Sequence, residues 1–298
     1  MMMSKRGISG ALAGCLFAFA LVVGCTPANG PGAVNAAYQH VVESKTIRCG
    51  YVVYPPGTIR DPNTNRIHGV FAEALEDSAQ SIGYSIEWTE EVGWATMIEG
   101  LRAGRYDAIC SPVWGNSTRS QFAEFTQPLF YSGIGVYVRA DDRRFDGGLA
   151  SINSSGVTIA TIDGEMTSII ADQDYPDARR EALPQNTDVS QVLLNVVNRR
   201  ADVTFVEPYI AESFLANHRG ALRNIAVESP VRIFPNVMMV AKGNTELAGL
   251  LNTMISEEIN SGNIDRLLAK YDVGSGTFYP VALPYRQPVR PRAHCSSF

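Results

Sequence analysis

One stretch narrows the possible folds more than any other: WATMIEGLRAGRYDAICSPVWGNSTRSQFAEFTQPLFY, from Trp94 to Tyr131. Trp94, Met97, Ile98 and Leu101 fall at i, i+3, i+4 and i+7, the spacing of an amphipathic helix, and Gly104 is placed to end it. Asp107–Ser111 then reads as a short apolar strand. A helix feeding straight into a buried strand is the unit of α/β architecture, so the chain is expected to build mostly parallel sheets covered by helices.

The same grammar runs through the body. Thr46–Val53 is a β-rich run cut off by the loop Tyr54-Pro55-Pro56-Gly57. Phe71, Leu75 and Ile82 share one helix face, and Tyr84–Trp88 alternates like a strand. A second unit begins with the strand Val157–Ile162 and a Gly164-Glu165 turn into a helix bearing Met166, Ile169 and Ile170. Asp188 caps a helix whose stripe is Val189, Val192, Leu193, Val196 and Val197. Ala201–Val206 is a strand, and Pro208 opens the next helix at the position proline tolerates best. Leu247, Leu250, Leu251, Met254 and Ile255 mark a further helix, and Ile264, Leu267, Leu268 and Tyr271 a shorter one. Ile134–Arg139 and Val237–Ala241 bracket the second unit as strands and are candidates for two crossings between lobes. From Thr277 the chain is Pro- and Arg-rich without periodicity, a tail expected on the surface or disordered.

The first residues read as targeting. Lys5 and Arg6 precede an apolar run from about Ile8 to Val23, with no acid before Glu43. That run is too short and weakly flanked to be taken first as a membrane span. It ends in Leu21-Val22-Val23-Gly24-Cys25, and residues 26–44 are small, polar and Gly/Pro-containing, as a tether would be. Without Lys5 and Arg6, 23 basic residues face 30 acids, a net charge near −7 with no basic cluster in the body. Nucleic acid is therefore not an expected partner. An exported chain can hold disulfides. Cys49 and Cys110 both sit in expected strands, and two buried thiols are expected ahead of a Cys49–Cys110 bridge.

With these features in place, the chain resembles the bacterial extracellular solute-binding proteins of family 3, the amino-acid-type receptors of ABC importers, over about residues 45–272. Ile47-Arg48-Cys49-Gly50 before the Tyr54-Pro55-Pro56 loop, and Gly69 before the first helix, carry the resemblance in the first part. Gly104-Arg105-Tyr106-Asp107-Ala108, Arg119 and Phe125-Thr126-Gln127-Pro128-Leu129-Phe130 follow in the family's order, as does the later run Arg200 to Pro208. Leu21–Cys25 resembles a lipobox with Cys25 as the acylated cysteine; Leu12-Ala13-Gly14-Cys15 is a rival, and an ordinary cleaved signal peptide the alternative. The resemblance implies a two-lobed periplasmic-binding-protein fold with two hinge crossings and ligand held between the lobes. The divisions expected are a signal peptide (1–24), a lipidated tether (25–44), lobe 1 (45–138 and 237–276), lobe 2 (139–236) and a tail (277–298). It also implies a monomer at the cell envelope, anchored through Cys25, with a small-molecule solute and ABC permease subunits as partners and no cofactor.

Seven residues are candidates for the ligand site. The planar fork of Arg119 suits a carboxylate through two parallel hydrogen bonds, the plain alternative being a surface pair with Glu124. Asn116 stands where a helix starts, so free backbone N–H groups there can assist. Ser111 matches a family position that touches ligand. Glu207 takes the place of the family's usual ammonium-binding aspartate, although an acid before Pro208 also favours a helix N-terminus. The chain departs from the family at Pro112, at Trp114 in place of a small hydroxyl, and at Glu165-Met166 after Gly164. Glu165, Glu207, Tyr54 and Trp94 together favour a cationic or aromatic ligand, although Trp94 lies on an apolar stripe and reads first as core, while Tyr54 and Trp114, on loops, read as site residues. The leading expectation is a non-enzymatic receptor. The alternatives are an enzyme resembling cyclohexadienyl dehydratases, with Glu165 as proton donor, and a ligand sensor for a membrane receptor.

Overall fold

The computed structural model describes residues 36–271 and 278–282. The expected signal segment, both lipobox cysteines, the first part of the tether and most of the tail lie outside the described residues. The chain enters as helix α1 (Ala36–Ser44), which buries Val41 completely. This corrects the tether reading for residues 36–44: Ala37, Tyr38 and Val41 make an apolar face packed on the core, which the surrounding small polar residues had obscured.

Strand β1 (Thr46–Tyr51) leads through the Tyr54 loop to a two-strand ribbon, β2 (Ile59–Arg60) and β3 (Ile67–His68), and then to α2 (Val70–Ser81). Helix α2 stops before Ile82, which is 42% exposed and off the expected face. Next come β4 (Ser85–Glu91), α3 (Met97–Arg102) and β5 (Ala108–Trp114), with Gly104 at φ +68° turning the chain between the last two. The single-turn helix α4 (Ser117–Ser120) and β6 (Ala123–Phe125) precede the long β7 (Phe130–Arg139). The second unit holds β8 (Thr158–Ile162), α5 (Met166–Asp174), β9 (Arg179–Leu183), α6 (Ser190–Val197) and β10 (Val203–Val206). It continues with α7 (Pro208–Asn217) and β11 (Leu222–Asn224). Strand β12 (Arg232–Ala241), helices α8 (Thr245–Asn260) and α9 (Asn263–Tyr271), and strand β13 (Phe278–Pro280) complete the described chain. Strand β13 pairs with Phe130–Ser132 of β7, so residues 278–280 of the supposed tail belong to the sheet.

The strands run in the order β4-β1-β5-β12-β7-β10-β8-β9 as one curled sheet with two lobes. Parallel pairs β1–β4, β1–β5, β8–β9 and β8–β10 serve the individual lobes. Strands β7 and β12 join them: β7 pairs with β12 through Phe130–Ile134 and with β10 through Gly135–Val138. The joining ladder, with Arg232–Asn236 as partner, precedes the apolar runs expected to be the crossings. Those runs are apolar because each is buried inside a single lobe, whereas Ile233 in the ladder is 54% exposed. One apolar cluster packs α1, α2, α8 and α9 on the first lobe, and another lies inside the second around Ile159, Ile170 and Phe205. A third runs between the lobes, from Trp94 and Met97 to Ile162, Val192 and Val206.

Cys49 and Cys110 form a disulfide, with their Cα atoms 5.5 Å apart, which overturns the expectation of two free thiols. Strands β1 and β5 are neighbours, with Cys49 opposite Ala108. Their Cα separation of 5.5 Å lies inside the range that a disulfide spans.

Candidate functional site

Arg119 is set in place by its own helix cap. Strand β5 ends at Trp114, and Asn116 accepts the Arg119 backbone N–H on Oδ1 at 2.8 Å, closing the single turn of α4. The Asn116 side chain thus takes one of the N–H groups at this helix start, that of Arg119. The Arg119 guanidinium turns toward the second lobe, donating to the Gly164 carbonyl at 2.7 Å and the Trp114 carbonyl at 3.3 Å. Glu124 pairs instead with Lys242 at 3.1 Å, so the surface-pair alternative for Arg119 falls. Gly164 has φ +74°, and a Cβ there would lie 3.1 Å from the Ala95 backbone nitrogen, so a glycine lets the lobes approach.

Glu165, next in the chain, caps α5. Its Oε2 accepts the Thr167 N–H at 2.7 Å and the Thr167 hydroxyl at 2.8 Å, with no more than 2% of the residue exposed. Glu207 ends the loop between β10 and α7 at 3% exposure. Its two oxygens accept the Tyr54 hydroxyl and the Ser132 hydroxyl, the latter at 3.3 Å. Tyr54 reaches across from the first lobe and packs edge-on against Trp94 and Trp114, ring centres 5.5 and 6.3 Å away. Trp114 is the last residue of β5, not a loop residue as expected, and it stacks on Phe234 at 4.3 Å.

Five of the seven candidates therefore converge: Arg119, Glu165, Glu207, Tyr54 and Trp114. Trp94, expected in the core, is buried but also walls the site with Pro112 and Met166. Ser111 does not reach it; its hydroxyl is fully buried and accepts the Val52 N–H at 2.9 Å, tying β5 to the chain after β1. The cavity left between these side chains is ≈ 10 Å³, room for about one water molecule. Beside it a wider opening of ≈ 410 Å³ lies between Tyr54, Trp94 and the Arg60–Glu91 pair on one side and Gln185–Val189 on the other. Gln185 crosses that opening to accept the Ala95 N–H at 2.9 Å.

The electrostatics are unbalanced. Burial pushes Glu207 up to about 7, against the Tyr54 hydrogen bond and with help from the like charge of Glu165. Burial also raises Glu165, opposed by its Thr167 bonds and by Arg119. Arg119 falls to about 10 through burial and stays protonated near neutrality. Burial and the two carboxylates raise the Tyr54 phenol well above its usual value, so it is a hydrogen-bond donor throughout. One guanidinium against two buried acids leaves the site short of positive charge. Among the described residues, no three His, Cys, Asp or Glu side chains are placed to share a metal ion. Nor is any helix of the described residues long and apolar enough to cross a membrane.

Three participants escaped the sequence reading: Ser132, Asn236 and Gln185. Ser132 and Asn236 are polar residues embedded in the apolar strands β7 and β12, a signal that could have marked them.

Residues 47–274 match the family model for bacterial extracellular solute-binding proteins, family 3. The chain is 21% identical to the L-cystine-binding protein TcyA of Bacillus subtilis (strain 168), covering 73% of this chain and 77% of that protein. In structure it is similar to an ancestral amino acid-binding protein described as a precursor of cyclohexadienyl dehydratase. That match has a TM-score of 0.65 and 22% identity, over 78% of this chain and 97% of the other. It is also similar to an amino acid ABC transporter substrate-binding protein from Streptococcus pneumoniae bound to L-arginine, with a TM-score of 0.67 and 14% identity over 78% and 97% of the two chains. The expected two-lobed periplasmic-binding-protein fold is thus the fold of this chain.

Proposed function

Since the chain belongs to the bacterial extracellular solute-binding proteins of family 3, we propose that it is a non-enzymatic receptor for a small solute carrying both an amine and a carboxylate, with a preference for cationic or aromatic side chains. The observation that carries this reading is the single guanidinium of Arg119 facing two buried carboxylates, Glu165 and Glu207, across the seam between the lobes. Arg119 takes the ligand carboxylate and Glu207 its ammonium, while Glu165 supplies the second negative charge that a cationic side chain needs. Tyr54, Trp94 and Trp114 offer ring faces to a cation or an aromatic group. L-arginine, bound by the pneumococcal protein, and L-cystine, bound by TcyA, both have an amino-acid head of this kind.

A cavity of ≈ 10 Å³ is too small for any amino acid. Ligand therefore enters as the Arg119–Gly164, Tyr54–Glu207 and Gln185–Ala95 bonds open, and it replaces them with contacts of its own to both lobes. Contacts on both lobes favour the closed arrangement, which is the signal an importer reads. We take the segments before Phe130 and after Asn236 as one lobe and 135–231 as the other, with Phe130–Ile134 and Arg232–Asn236 between them, Cys25 as the lipid anchor at the envelope, and an ABC permease as recipient. An enzymatic role for Glu165 is disfavoured because its Oε2 is engaged by both donors of Thr167 as the cap of α5, which opposes the protonation that burial favours.

A thermal-shift screen of amino acids, polyamines and dicarboxylates on residues 26–298 tests the reading. Stabilisation by L-arginine, L-lysine or L-cystine is expected. Stabilisation by acidic ligands alone would end the cationic preference, and consumption of prephenate or arogenate would sink the receptor reading. Mass spectrometry of the membrane fraction checks acylation of Cys25.

A further inference from the structure

Four buried side chains form a single hydrogen-bonded line that ends on Glu207. The Trp114 indole N–H donates to Asn236 Oδ1 at 3.3 Å, Asn236 Nδ2 donates to Ser132 Oγ at 3.0 Å, and Ser132 Oγ donates to Glu207 Oε1 at 3.3 Å. Trp114, Asn236, Ser132 and Glu207 are all buried, so water does not compete for these groups.

The direction of the line is forced by chemistry. An indole N–H can only donate, so the Asn236 atom facing it is the carbonyl oxygen, and the amide NH₂ is turned to Ser132. The Ser132 oxygen accepts from that NH₂, which leaves its one proton for Glu207, an acceptor when ionised. Trp114 and Asn236 stand opposite each other in the β5–β12 register, and Ser132 and Asn236 lie on β7 and β12, the two strands that join the lobes. We propose that Trp114, Asn236 and Ser132 are positioning residues for the ammonium-binding carboxylate: the indole fixes the amide, the amide fixes the hydroxyl, and the hydroxyl holds Glu207 ionised and aimed into the cleft. The inference rests on the reading of Glu207 as the ligand's ammonium partner.

Its value to binding lies in what happens when ligand arrives. The other donor to Glu207 is Tyr54, which comes from the opposite lobe and must yield its place to an ammonium group. The Ser132 donor comes from a joining strand and remains. Glu207 therefore keeps one fixed donor while the mobile one is exchanged for ligand. The ionisable groups acting on it are Tyr54 from the loop after β1, Glu165 at the start of α5 and Tyr137 on β7, and Arg119 offsets the charge of Glu165.

The test is a carboxyl ¹³C NMR titration of the unliganded processed protein labelled at glutamate, with the Glu207 resonance identified by its loss in Glu207→Gln. Ser132→Ala is expected to move the Glu207 midpoint upward by about one pH unit, the size of one hydrogen bond to a charged acceptor. Ser132→Thr keeps the hydroxyl and is expected to keep the wild-type midpoint. Trp114→Phe retains the stack on Phe234 but frees the amide, and a smaller upward move is expected. An unmoved midpoint in Ser132→Ala overturns the inference, and an unmoved one in Trp114→Phe overturns the positioning role of the indole. The binding arm uses L-arginine as probe. Affinity of Ser132→Ala is expected to fall about tenfold below the wild-type midpoint and to approach wild type well above it. Wild-type affinity in Glu207→Gln would remove the ammonium reading while the NMR titration still decides the donor line.

Discussion

Arg119 is the residue on which the ligand reading can be broken most cleanly. In the unliganded arrangement its guanidinium already holds two carbonyls, Gly164 at 2.7 Å and Trp114 at 3.3 Å. A ligand carboxylate does not fill two empty donors; it exchanges two bonds to neutral oxygens for two to a charged one. The guanidinium makes both kinds of bond charge-assisted; at roughly 1.5 kcal/mol for each bond to a carbonyl and about 2.3 kcal/mol for each to a carboxylate, ~3 kcal/mol is exchanged for ~4.6 kcal/mol. Subtracting the carbonyl bonds given up leaves a net gain of about 1.5–2 kcal/mol, a factor of roughly 10–30 in affinity. Arg119→Ala should therefore weaken L-arginine by at least tenfold. It should leave agmatine, which lacks the carboxylate, within about twofold on the same reasoning. Isothermal titration calorimetry of both ligands on both proteins at pH 8 completes the cycle. At that pH Glu207, at about 7, is largely ionised, and Arg119, at about 10, is still protonated. Equal weakening of L-arginine and agmatine would refute the carboxylate role, and so would no weakening of L-arginine. Arg119→Lys keeps the charge without the fork and should fall between the two.

Three other outcomes can be checked with the same protein. Binding of amine-bearing ligands should strengthen as pH rises through about 7, because burial has raised Glu207 and only its ionised form pairs with ammonium; a flat affinity from pH 5 to 9 would contradict this. Replacing Cys49 and Cys110 together by Ala should cost ~4 kcal/mol on the chain-entropy estimate for their sequence separation of 61, read as a lower guanidinium midpoint; no change would mean the thiols are unpaired in solution. Arg139 bridges Asp142 and Asp202 at 2.9 and 3.0 Å, so Arg139→Met should destabilise by about 3 kcal/mol at pH 7, the low end for a broken buried pair because Arg144 remains. The hydrogen bond from Arg144 outweighs burial and holds Asp142 down at about 2, so its stabilisation is present above the unfolded carboxylate range near ~3.9 and fades as pH falls toward 2. The penalty of Arg139→Met should shrink over that window, and a penalty equal at pH 7 and pH 3 would show that the carboxylates do not carry it.

Much of the architecture was legible because it is a local property of the chain. Apolar spacing marks α8 from Leu247 onward, Pro208 opens α7, and Gly104 closes the turn between α3 and β5, each within a few residues of where the pattern puts it. Strand β9 (Arg179–Leu183) was not read, because a partly exposed strand carrying Arg179, Arg180 and Glu181 has none of the apolar alternation that announces one. Helix α1 reads as tether for a similar reason, its one buried face being too narrow to stand out among small residues.

The site divides along the same line. The resemblance to the family, joined to residue chemistry, points to Arg119, Glu165, Glu207, Tyr54 and Trp114: a guanidinium, two acids and aromatic rings at those positions suggest what they can grip. The sequence could not decide which of them meet. The Cys49–Cys110 bridge needs β1 beside β5, and the release of Arg119 from Glu124 needs Lys242, just past the end of β12, to arrive beside it. Glu207 needs Tyr54, 153 residues away, and Ser132 from a joining strand. Helix and strand periodicity are written within a dozen neighbouring residues, so the chain declares them directly. Strand order, register and the pairing of charges across a seam are fixed only when the burial of the whole chain selects which segments become neighbours.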